Sequence, residues 1–100
     1  MAKFLITYHG GKPPADAAAA EQVKAAFGAW LQEAGAAVTD PGAPVRTATN
    51  VSNGTAVASG DIGGYSMIEA ASLGAAVALL KTHPFVARGG TLWIHEAVTI

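Results

Sequence analysis

The sequence has no cysteine, which excludes disulfides and thiolate metal sites. Charge is also scarce, with 13% Asp, Glu, Lys and Arg and a formal net charge of -1. Neither a basic nucleic-acid footprint nor an acidic tail is present, and nucleic acid is not expected as a partner. No apolar run approaches the roughly 20 residues that span a bilayer, so no membrane partner is expected. The opening run Met1 to Tyr8 carries one charge and is too brief for a signal-peptide core, which makes the cytoplasm the expected location. Without a secretory signal, the sequons at Asn50 and Asn53 read as chance matches. The glycine pairs Gly10-Gly11, Gly63-Gly64 and Gly89-Gly90 form neither GxGxxG nor a Walker loop, and no nucleophile elbow occurs. No cofactor is expected. His9, His83 and His95 lack ligand spacing, and no metal is expected either.

What the chain does have is apolar residues, 51% of 100. That is enough for a single domain over residues 1–100 with a real core, but small enough that a second copy would usefully cover surface. Phe4 to Tyr8 is apolar and partly β-branched, the pattern of a central strand. Asp16 stands where an N-cap should, ahead of a helix running to about Ala34. Val23, Phe27, Trp30, Leu31 and Ala34 form its buried stripe, and Gly35 is its expected left-handed stop. A second strand begins at Ala36 to Val38, with Asp40-Pro41-Gly42 marking a turn or an edge bulge. Val45 to Ser52 alternates, and Asn53-Gly54 before Thr55 to Ser59 predicts a β-hairpin.

The chain is organised around Gly63 to Glu69, read as a strand, and the helix that follows Ser72 with Leu73, Ala76, Val77 and Leu80 on one face. That helix should end at Thr82-His83-Pro84, because proline disfavours a helical residue before it. Val86 to Gly90 reads as loop and Thr91 to Val98 as a last alternating strand. The order is α+β, a ferredoxin-like β-α-β-β-α-β with an extra β-hairpin. Its strand order 4-1-3-2 would leave one sheet face free of helices. Because Trp93 and His95 alternate with Leu92 and Ile94, that face should be covered by a second copy in a homodimer.

Several segments together resemble the YCII-related and DGPF-domain proteins of the dimeric α+β barrel group. They are Phe4 to Tyr8, Phe27 to Leu31, Val45 to Thr49, Gly64 to Glu69, and His83-Pro84 ahead of Gly89-Gly90-Thr91-Leu92. The resemblance implies a homodimer with a cleft proposed as an active site. Some members pair a histidine on the first helix with an aspartate; the first helix here has no histidine, so that dyad is not carried over. The Asp-Gly-Pro-Phe tetrapeptide is absent too, with Ser59 to Gly63 in its region.

The topology should gather loops at one sheet end, with the amino end of the first helix nearby to favour an anion. His9 is the candidate general base and Tyr65 the candidate catalytic hydroxyl, against readings as a strand-end histidine and a packed aromatic. Asp61, His83 and Arg88 are the candidate ligand-binding residues, with Arg88 as the anion clamp. Their plain alternatives are solvated loop charges and, for His83, a helix C-terminal residue answering the dipole. Trp30, Trp93 and His95 read as core or interface residues. The functional expectation is cofactor-free acid/base chemistry on a small, anionic organic molecule; the alternative is a ligand-binding or interaction dimer without catalysis.

Overall fold

The computed structural model describes residues 1–100. Strand β1 (Ala2–Gly10) lies between β3 (Gly64–Ala70) and β4 (Gly90–Glu96), and β2 (Val38–Pro44) pairs on the outer side of β3. All three pairings are antiparallel, and the order β2-β3-β1-β4 is that of the ferredoxin-like α+β fold expected from the sequence. The molecule is 19 Å across its shortest axis, enough for the sheet and one layer of helices.

Helix α1 (Ala17–Ala34) starts where Asp16 Oδ1 accepts the Ala19 N–H at 2.8 Å, and stops at Gly35, whose φ is +58°. Its predicted stripe is the one it buries: Trp30 enters the core, and Val23, Phe27, Leu31 and Ala34 are half-buried. Trp30 donates its indole N–H to Thr82 Oγ1 at 3.2 Å, so the ring is packed without an orphaned donor. Helix α2 (Leu73–Leu80) is capped by Ser72. Ala76 and Leu80 bury on the sheet, but Leu73 and Val77, expected beside them, face solvent, and half-buried Leu79 takes their part. The core is Phe4, Ile6, Trp30, Ile68, Ala70, Ala76 and Leu80.

Two predicted segments differ. The β-hairpin does not form, and Val45 to Gly63 contains no strand. Its threonines, alanines, serines and asparagines offer little area to hold a pair of strands, and Val51 and Val57 stand in solvent. Asn53-Gly54 still turns the chain, with Gly54 at φ +108°, but its flanks find no partner strand. The loop is pinned at its base, where Val45 N–H donates to Gly63 O at 3.0 Å and Gly63 N–H to Tyr8 O at 2.7 Å. The second difference is a one-turn helix, α3 (Pro84–Ala87), which runs into the stretch from Val86 expected to be loop. Pro84 fits its first turn, where no N–H is required.

The bulge read from Asp40-Pro41-Gly42 is present as register shifts between Val38 and Asp40 and between Asp40 and Ala43. Gly42 has φ +73°, and a Cβ there would sit 1.7 Å from the Tyr65 carbonyl oxygen. The bulge therefore requires glycine on two grounds.

Alternation along β1 sends Phe4, Ile6 and Tyr8 toward the helices and Leu5, Thr7 and His9 to the other face. Thr7 is the cross-strand partner of both Tyr65 and Trp93, which places their side chains on that second face as well. No helix covers it: Trp93 is 59% exposed and Leu5 37%.

Candidate functional site

His83 is the centre of the site, and its surroundings define its state. The side chain is 2% exposed, with the Trp30 ring 4.4 Å, the Tyr8 ring 5.3 Å and the Phe27 ring 5.5 Å from its own, centroid to centroid. It caps α3 rather than ending α2, its Nδ1 accepting the Phe85 N–H at 3.0 Å. A nitrogen that accepts carries no proton, so the neutral ring holds its proton on Nε2. Burial pushes the imidazole down to about 4, with a further push from the Arg88 charge, and the ring is neutral at pH 7.

From Nε2 a chain of hydrogen bonds runs in one direction. His83 Nε2–H donates to Tyr8 Oη at 2.9 Å. Ser66 Oγ–H is given to the Pro41 carbonyl at 2.8 Å, so its oxygen can only accept from Tyr8 Oη–H, also at 2.8 Å. Burial raises the Tyr8 phenol above its ordinary value, and the Ser66 contact opposes that only partly. Tyr8 reaches Ser66 across Gly64, where a Cβ would stand 3.7 Å from its Cδ1 and 3.3 Å from the Ala43 carbonyl oxygen.

A cleft of about 580 Å³ opens beside Tyr8 and His83, bounded by the turn after β1, α1, the β2 bulge and α3. Its volume suits a small organic ligand. The charged residues in its wall are Lys12, Lys24 and Arg88, with no Asp or Glu among them. Arg88 lies with its guanidinium carbon 5.6 Å from the centre of the Phe85 ring. Of the first turn of α1, Ala20 lines the wall, and Asp16 accepts the Ala19 N–H, one of that turn's free amides. The cleft thus combines three cationic side chains with a residue from the amino-terminal turn of α1.

The five sequence-predicted residues are not gathered in one place. His83 and Arg88 belong to the cleft. Tyr65 borders it where Gly42 packs on its carbonyl, while its ring lies on the opposite sheet face by register. His9 is on that opposite face too, its Nε2 2.8 Å from Thr7 Oγ1, which also meets His95 Nε2 at 2.9 Å. Asp61 lies in a separate depression with Arg46, Thr47 and Ile62. The convergence expected of all five fails because His9 is one residue out of phase with Tyr8, the Tyr65 ring shares the face of His9, and Asp61 lies in the other depression. No three His, Asp or Glu side chains come together as a metal cluster would require.

Tyr8 and Ser66 were missed, although the sequence held a signal. Each is a hydroxyl residue in the buried phase of its strand, Tyr8 following Phe4 and Ile6, and Ser66 preceding Ile68 and Ala70. Two polar exceptions on neighbouring apolar stripes point to a shared, satisfied pair.

A solved enzyme shares this architecture. It is the 5-chloro-2-hydroxyhydroquinone dehydrochlorinase TftG from Burkholderia phenoliruptrix AC1100, determined in complex with 2,5-dihydroxybenzoquinone. The TM-score is 0.53 at 23% identity, over 91% of this chain and 90% of that one. No family profile matches the chain, and no curated protein matches it. The likeness establishes the fold, on which an enzyme handles a small organic molecule. No helix here is long and apolar enough to cross a membrane.

Proposed function

We propose that this chain is a YCII-like protein whose cleft binds a small organic anion and moves a proton on it through Tyr8, using the chain's own side chains. The observation that carries this reading is the directed chain from His83 through Tyr8 to Ser66, set in a cleft whose charged residues are all cationic. Tyr8 Oη accepts one hydrogen bond and donates one, which leaves a lone pair for a ligand proton. It can also turn its own proton from Ser66 toward a ligand oxyanion. If that proton transfers, the new O–H bond forms on the ligand and the phenolate left on Tyr8 keeps the His83 Nε2–H. The Ser66 hydroxyl can then swing from Pro41 to donate to it, so the transferred charge is met by two donors. Lys12, Lys24 and Arg88 supply the attraction that brings an anion in.

A second reading, a ligand-binding dimer without turnover, draws on the same site. A phenol raised above its usual range and an imidazole lowered to about 4 both keep their protons fixed near pH 7. Such a pair binds and orients more readily than it exchanges protons. Hydrogen–deuterium exchange at the α-carbon of a panel of small keto acids, in which buffer base takes the carbon proton while Tyr8 Oη–H meets the forming enolate oxygen, separates the two when followed by proton NMR. Wild-type protein should catalyse exchange, and Tyr8→Phe should bind the same acid with exchange slowed at least ten-fold. Exchange that survives in Tyr8→Phe would remove Tyr8 from the chemistry, and binding without exchange in wild type would favour the second reading.

A further inference from the structure

We infer that the ligand of this cleft is a monocyclic aromatic acid, its ring laid against Phe85 and its carboxylate on Arg88. The inference rests on the reading of the cleft as an organic-anion site and names the kind of anion. Phe85 is held unusually firmly. A Cβ on Gly90 would stand 2.3 Å from its Cε2, and one on Gly11 would stand 2.9 Å from its Cε1. The ring is thus seated against bare main chain just past the end of β1 and at the start of β4, and Tyr8 meets it edge-on at 5.1 Å. It has little room to turn, so the cleft keeps a flat apolar wall of constant orientation.

Arg88 is three residues further along, at the end of the same short helix, with its planar cation 5.6 Å from that ring. One turn of main chain therefore carries both a flat apolar surface and a carboxylate clamp, the exposed Arg88 lying over the Phe85 ring. The wall also includes Pro13, Pro14, Pro41 and Pro44. Their pyrrolidine rings cannot rearrange around a flexible chain. Rigid walls reward a rigid guest, because neither side loses much conformational freedom on binding. A six-membered aromatic ring is flat enough to lie on Phe85 and stiff enough to gain from that fit, whereas a saturated ring of the same size is puckered.

The test compares benzoate with cyclohexanecarboxylate, two acids of equal charge and carbon number. Each is titrated into the ¹⁵N-labelled full chain, followed through the amides of Gly11, Phe85 and Arg88. Both should shift these amides, with benzoate at least five-fold tighter. In Phe85→Leu the two affinities should converge through the weakening of benzoate, while Arg88→Gln should weaken both. If Phe85→Leu does not fold, Gly90→Ala, which displaces the ring without removing it, should give the same convergence. Equal affinities in the wild-type protein would overturn the aromatic assignment and leave the anion site standing. Saturating concentrations of both acids without a shift at the cleft would overturn the anion site itself.

Discussion

His83 is a histidine whose usefulness depends on staying neutral. Its imidazole is held at about 4, while an unfolded chain would titrate it near 6.5. Between those values the unfolded chain binds a proton that the folded chain refuses. This contribution to stability is whole above about pH 6.5, declines as the pH falls, and is gone below about pH 4. The largest loss is about 3 kcal/mol. His83→Asn keeps an acceptor for the Phe85 N–H and removes the titration. Urea midpoints measured from pH 7 to pH 4 should therefore fall more steeply in wild type than in His83→Asn. Parallel curves would show that burial of the neutral ring is not what acid opposes. Tyr8→Phe takes the acceptor from His83 Nε2–H and the donor from Ser66 at once, and should cost about 1–3 kcal/mol in chemical denaturation. At this scale the sequence was read only in part. His83, as a residue at a helix C-terminus, and Arg88, as a loop cation, are legible as candidate ligand-binding residues, whereas Tyr8 and Ser66 read only as strand residues. A side chain's phase on a strand decides which face it serves, and one residue's difference separates the buried Tyr8 from His9 on the far side.

Among the elements, the helices and strands were legible because periodicity and caps both marked them. Asp16, Gly35 and Ser72 stand at α1 and α2 boundaries, and the glycine of the β2 bulge was visible beside its aspartate and proline. Besides the short α3, the difference is the hairpin, where a strong turn signal at Asn53-Gly54 is not matched by side chains able to hold strands together. Turn chemistry directs a reversal; pairing needs area to bury. Two outcomes follow. Gly42→Ala should lower stability by more than about 1 kcal/mol, because φ +73° and the Tyr65 carbonyl both oppose a Cβ. A urea midpoint like that of wild type would show that the bulge can relax. Replacing residues 47–61 by a short glycine-serine turn should change stability by less than about 1 kcal/mol, since closure entropy varies only slowly with length. Amides from Thr47 to Val57 should also exchange with solvent far faster than those of β1.

As a whole molecule the chain buries only 11 of its 100 residues, most of them between the sheet and its single layer of helices. The helix-free sheet face, with Leu5 and Trp93 exposed, is the surface that the sequence pattern assigned to a second copy. We propose that homodimer still, on the ground that covering the exposed Leu5 and Trp93 of this face would be stabilising. Sedimentation should give a dimer at micromolar concentration for wild type and a monomer for Trp93→Lys, with both keeping their far-UV spectrum. A wild-type monomer would sink the proposal.

The two ends of the chain also have a consequence for handling the protein. Ala97 N–H donates to Lys3 O at 2.9 Å, so the start of β1 and the end of β4 lie side by side. Tyr8 is five residues further along β1, about 17 Å away at the rise of a strand. A tether attached at either end, whether an affinity handle, a bead or a sensor surface, would leave from the corner opposite the cleft. The molecule would then be displayed with its cleft facing outward whichever end was fixed, and immobilisation through the two ends should report the same ligand affinity.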